Sequence, residues 1–96
     1  MVTIESDLFV DEVVNNEMSV YPNPSSGVFT FKCTLPESSI KSITIYDVLG
    51  EKVLSENVTG KNKYEKQFDF SKLMKGIYFI NCNDGKNNYQ ASVIIQ

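Results

Sequence analysis

Histidine, tryptophan and arginine are all missing from the 96 residues, and every one of the nine positive charges is a lysine. Without histidine the chain lacks the side chain that most often serves as general base near neutral pH and as metal ligand. Without arginine or clustered lysine it lacks the surface that grips nucleic acid, so no nucleic-acid partner is expected. Two cysteines, Cys33 and Cys82, are too few for a zinc site and too far apart for a C-x-x-C redox pair. No apolar run is long enough to span a bilayer, so no membrane insertion is expected. The opening "MVTIESDLFV" has no basic start before an apolar core and does not read as a signal peptide.

What is present is the composition of one globular domain, with 42% apolar and 22% charged residues. The formal charge of -3 is unevenly spread. Residues 1–17 hold Glu5, Asp7, Asp11, Glu12 and Glu17 without a lysine, a charge of -5, while the remainder carries +2. An acidic lead on a nearly neutral body reads as a linker or the end of a preceding region (residues 1–17) ahead of a domain (residues 18–96). "DLFVDEVV" holds enough apolar residues to add a sheet-edge strand, but a solvated linker is the preferred reading.

From Val20 onward the pattern has period two. Phe29, Phe31 and Cys33 oppose Val28, Thr30 and Lys32; Ile43 and Ile45 oppose Thr44 and Tyr46; Tyr64, Lys66 and Phe68 oppose Glu65, Gln67 and Asp69. Gly50, Gly60 and the Asp84-Gly85 pair punctuate these runs with hairpin chemistry. With a short strand over residues 18–21, seven strands follow at about ten-residue spacing, as in an all-β sandwich. The one helical candidate is "SKLMKG", where Ser71 could cap a single turn and Gly76 end it.

Little in this pattern carries chemistry. The carboxylates fall in turns or on outward faces, which marks solvated surface rather than a catalytic pair. "NCNDGKNN" fails as a calcium loop because Ile80 and Cys82 stand where oxygen ligands are required. Cys33 and Cys82 occupy alternating apolar positions, and two small buried hydrophobes are preferred over a disulfide, which would contribute roughly 4 kcal/mol if formed. The aromatic residues fall mostly on the face a sandwich must bury. No catalytic, cofactor or metal site is expected.

Four blocks in order are the most specific feature: "VYPNPSSGVFTF", "ITIYDVLGEKV", "FDFSKLMKGIYFI" and the terminal "ASVIIQ". The series, covering about residues 19–96, resembles the type A C-terminal sorting domain (Por secretion tail) of the type IX secretion system of Bacteroidota. The family's Tyr-Pro-Asn-Pro block and following glycine are matched by Tyr21, Pro22, Asn23, Pro24 and Gly27. Its Tyr-Asp-x-x-Gly block is matched by Tyr46, Asp47 and Gly50, and its Leu-x-x-Gly-x-Tyr block by Leu73, Gly76 and Tyr78. The ending Ile-Ile-Gln departs from members that close on lysine.

The resemblance implies an all-β, seven-stranded antiparallel Ig-like β-sandwich, a monomer without enzymatic activity, attached to a larger cargo. It further implies reading by the outer-membrane translocon and shuttle protein of the type IX system, passage through the periplasm to the cell surface or medium, and removal by a sortase-type peptidase cutting in the linker. An adhesive or carbohydrate-binding sandwich is the alternative. In the last strand Ala91, Val93 and Ile95 oppose Ser92, Ile94 and Gln96, and Ile94 breaks the polar side. Ile94, Ile95 and Gln96 are therefore the candidate recognition residues, through side chains or through a free strand edge; the alternative is that Ile94 and Ile95 simply complete the core.

Overall fold

The computed structural model describes residues 17–96. The acidic lead therefore lies outside the described residues, apart from Glu17, which opens the first strand instead of closing the linker. Seven strands follow in chain order: β1 (Glu17–Tyr21), β2 (Val28–Thr34), β3 (Ile40–Tyr46), β4 (Lys52–Lys61), β5 (Lys63–Asp69), β6 (Gly76–Asn83) and β7 (Asn88–Ile95). One sheet has the order β1-β2-β5 and the other β4-β3-β6-β7, all pairs antiparallel. This is an Ig-like β-sandwich.

Period-two patterning produces the core directly. Phe29, Phe31 and Cys33 of β2 face inward against Ile43 and Ile45 of β3, Ile80 and Cys82 of β6, and Val93 of β7, all buried. Each such aliphatic or aromatic side chain contributes about 1.5–3 kcal/mol on burial. Phe29 meets Phe70 edge-on at 5.2 Å between ring centroids, and Phe70 meets Tyr78 edge-on at the same distance. Such edge-to-face contacts match the negative face of one ring to the positive rim of the next. Lys66 interrupts the inward face of β5 because this strand borders the open side of the sandwich. Its ammonium reaches across to Glu56 of β4 at 2.6 Å, and the Tyr64 hydroxyl donates to the same carboxylate. The lysine, then the tyrosine, hold Glu56 below the usual carboxylate range. Burial, then the hydrogen bond to Glu56, push the Tyr64 phenol up.

Two local expectations are corrected. Gly60 does not turn a hairpin: β4 pairs with β3 and β5 with β2, so the chain changes sheets there. Gly60 takes φ +68°, and beyond it the Asn62 carbonyl accepts the Leu35 amide at 2.8 Å, beside the closing β2–β5 pair Thr34 and Lys63. A glycine bend permits either outcome locally, and the partner of each strand decides between them. Nor does "SKLMKG" form a helical turn, since residues 70–75 make an irregular link between the sheets. The Asp69 carboxylate holds the start of that link, accepting from the Ser71 amide at 2.9 Å and from its hydroxyl. Those bonds hold Asp69 below its ordinary value.

By contrast, Gly50 and Asp84-Gly85 do turn hairpins, β3–β4 and β6–β7. The second has a four-residue loop in which the Asp84 carboxylate accepts from the Asn87 and Lys86 amides, which holds it below its ordinary value.

Gly27, at φ +137°, is required twice over. A Cβ built there would lie 2.7 Å from Ser71 Cα, and the Gly27 carbonyl accepts the Phe70 amide at 2.7 Å. Gly50, at φ +84°, has open space around it. Urea denaturation should therefore separate them: Gly27→Ala is expected to cost about 2–4 kcal/mol, from backbone strain plus overpacking, and Gly50→Ala only about 1–2 kcal/mol from the backbone. Equal costs would contradict the close approach of the two loops.

Candidate functional site

The Tyr-Pro-Asn-Pro block leaves β1 at Tyr21, the last residue paired with β2, and crosses to the other sheet. Both prolines lack an amide hydrogen and need no donor partner during the crossing. The Tyr21-Pro22 and Asn23-Pro24 peptide bonds are cis. The block then lies along the outer edge of β7. The Asn23 side-chain amide donates to the Ser92 carbonyl at 3.0 Å, and its oxygen accepts the Ile94 amide at 3.0 Å. The Ser25 amide donates to the Ile94 carbonyl, and the Ser25 carbonyl accepts the Gln96 amide, both at 2.8 Å. Four successive edge groups of β7 are thus satisfied.

In this ladder the Asn23 carboxamide stands in for a peptide group, one donor and one acceptor side by side. Ser25 is buried, and its hydroxyl donates to the Val28 carbonyl at 2.8 Å and accepts the Gly27 amide at 3.0 Å. Tyr21, Pro22, Asn23, Pro24 and Gly27 form one clasp, with Gly27 seated against the link between β5 and β6.

The other two blocks meet at one end of the sandwich. The Asp47 carboxylate accepts the Leu49 and Glu51 amides at 2.9 Å each, and the Gly50 amide closes the turn onto the Asp47 carbonyl at 3.0 Å. Tyr46 pairs with Phe79 of β6. The Leu73 amide donates to the Phe70 carbonyl at 3.0 Å, and Gly76 begins β6 opposite Ile95. The hydroxyl of buried Tyr78 donates to the Met74 carbonyl, the tyrosine corner that anchors this strand in Ig-like domains. Asp47, Leu73, Gly76 and Tyr78 line one shallow groove together with Val48, Leu49, Val53, Met74 and Ile77.

The rim of that groove was not singled out in the sequence. Leu49 and Met74 are 82% and 84% exposed, which leaves apolar side chains in turns where polar ones are usual. The signal was there in "DVLG" and "KLMKG", apolar residues beside turn glycines. Of the candidate recognition residues, Ile95 is buried in the core and the Gln96 amide is held by Ser25. Ile94 turns outward at 40% exposure beside its cross-strand partner Ile77. The β7 edge from Ser92 to Gln96 is already occupied by the clasp, so strand addition there is blocked.

Among the described residues no three His, Cys, Asp or Glu side chains gather at one point. Among the aromatic residues described, Tyr21 is the exposed one and the others are half-buried or buried. The geometry is that of a β-sandwich module in which Asn23, Gly27, Asp47 and Tyr78 make or admit contacts within the fold. Residues 19–96 match the family model described as the secretion system C-terminal sorting domain. The chain belongs to this family of type IX sorting domains, which act as non-catalytic signals for export to the cell surface or medium. It is also 30% identical, over an alignment of 103 positions, to an endo-acting ulvan lyase of Formosa agariphila, covering 99% of this chain and 18% of that protein. The chain thus spans under a fifth of the relative's length.

Replacing Asn23 by Asp keeps the shape of the clasp but faces a carboxylate oxygen toward the Ser92 carbonyl. At pH 7 Asn23→Asp is expected to lose about 1–2 kcal/mol by urea denaturation, as much as Asn23→Ala or more. Contact with that carbonyl favours the protonated acid, so its folded pKa is raised. The deficit should shrink as pH falls through the raised folded pKa toward about 4, the unfolded value, level off below it where protonation has restored the donor in full, and reappear as pH rises. A loss independent of pH would show that the amide does not donate there.

Proposed function

We propose that this domain is the C-terminal address of a larger secreted cargo, read in the periplasm by the outer-membrane translocon and shuttle protein of the type IX system. A sortase-type peptidase then cuts within residues 1–17 as the cargo emerges. The match over residues 19–96 carries this reading. The far longer relative, an endo-acting ulvan lyase by its name, supports attachment to an enzyme. The acidic lead, with no lysine and ahead of β1, supplies the stretch in which cleavage would fall.

Contact with the machinery falls to side chains that the fold leaves exposed. Ile94 is the foremost, with Gln96 beside it and Ile95 serving the core. Ile94 and Ile77 form an apolar pair that continues into the groove rimmed by Leu49 and Met74. Apolar side chains held outward by a rigid sheet suit recognition of a folded module.

Fused behind a signal peptide and a fluorescent passenger in a bacterium with this secretion system, residues 18–96 should carry the passenger to the surface or medium. Folded passenger retained in the periplasm would overturn the sorting reading. Ile94→Lys, an exposed change expected to alter stability by no more than about 0.5 kcal/mol, should reduce export. Full export at an unchanged melting temperature would remove Ile94 from the contact surface and leave the sorting role intact.

A further inference from the structure

We propose that Cys33 and Cys82 form a disulfide when the domain folds outside a reducing compartment, an oxidative staple between the two sheets. Cys33 lies on β2, the middle strand of its sheet, and Cys82 on β6, an interior strand of the other. The backbone ladders fix both positions: Cys33 pairs with Met18 and Tyr64, and Cys82 with Ile43 and Tyr89. Their sulfur atoms stand 3.1 Å apart, both side chains are fully buried, and 49 positions separate them in sequence. A disulfide needs the sulfurs at about 2.05 Å, so closure asks each to move by about half an ångström.

No other cysteine competes, since the chain has two, and no third ligand stands by to make the pair a metal site among the described residues. A bond here would tie the two sheets through the centre of the core, and so long a loop restrains the unfolded chain strongly.

Closure proceeds by thiol–disulfide exchange with an external disulfide, either a small molecule such as oxidised glutathione or a protein dithiol oxidase. One cysteine thiolate attacks the external S–S bond, forming a mixed disulfide and releasing one thiolate. The second cysteine thiolate attacks the mixed disulfide, forming the Cys33–Cys82 bond and releasing the second. The two cysteine protons end on the two released thiols, the cysteines give up two electrons and the external disulfide takes them. In the closed core both thiols are fully buried, out of reach of an external disulfide. Exchange therefore belongs to the folding stage, before the sheets close. The sorting reading enters only as the reason the domain meets an oxidising compartment.

The test uses the purified chain in vitro, so its failure and a failure of export are separate results. Denatured, reduced protein is refolded with either oxidised and reduced glutathione or excess reductant, then denatured and alkylated with iodoacetamide. The glutathione sample should show an intact mass lower by two hydrogens and no alkylated cysteine, the reduced sample two. Its melting temperature should be higher by about 10 °C or more. In the double variant Cys33→Val, Cys82→Val the melting temperature should be the same under both conditions. Two alkylated cysteines after oxidative refolding, or glutathione left on each, would overturn the proposal, as would a bonded pair that melts no higher than the thiols. The alkylation count on the unaltered chain decides even if the double variant fails to fold.

Discussion

The edge of β7 is the constraint on which the rest of the domain depends. A strand that borders a sheet presents unpaired amides and carbonyls, and most β-sandwiches must cover or blunt that edge. Here the covering comes from the other sheet, because the chain leaving β1 crosses over and lays Asn23 and Ser25 against β7. Each of those hydrogen bonds contributes only about 1 kcal/mol. Their larger effect is geometric, since they join the first strand of one sheet to the last strand of the other.

The remaining contacts follow from that closure. Once Ser25 is pinned to β7, Gly27 is brought against Ser71, and the link between β5 and β6 is drawn over the Phe29, Phe70 and Tyr78 cluster. Across the sandwich, where β4 and β5 sit in different sheets without backbone pairing, Glu56 takes Lys66 and Tyr64 and closes the opposite side. Asn23, Gly27, Asp47 and Tyr78, which look in sequence like parts of a recognition code, each hold or admit the domain's own backbone. The fold leaves the apolar side chains of Ile94, Ile77, Leu49 and Met74 exposed.

Most of the fold was legible because strand alternation is local. The inward faces of β2, β6 and β7 follow from the alternation around Phe31, Ile80 and Val93 alone. Sheet membership was not legible at Gly60, where a bend suited to a hairpin instead moves the chain between sheets. Long-range pairing decides that outcome, and no local residue encodes it. The site was legible as motifs but not as geometry: Asn23 and Gly27 could be named, while their partners Ile94 and Ser71 lie about seventy and forty-four positions away. Lys66 on an inward face also had no local explanation, because its partner Glu56 belongs to the other sheet.

Amide hydrogen exchange of the native domain, read residue by residue, tests the clasp most directly. Ile94 and Gln96 turn their amides away from β6 and toward Asn23 and Ser25. Protection of these two amides comparable to that of the central β3–β6 ladder is the result expected of a closed edge. Exchange of both at the rate of an unfolded chain, with the β3–β6 ladder still protected, would contradict it and leave β7 as an open edge.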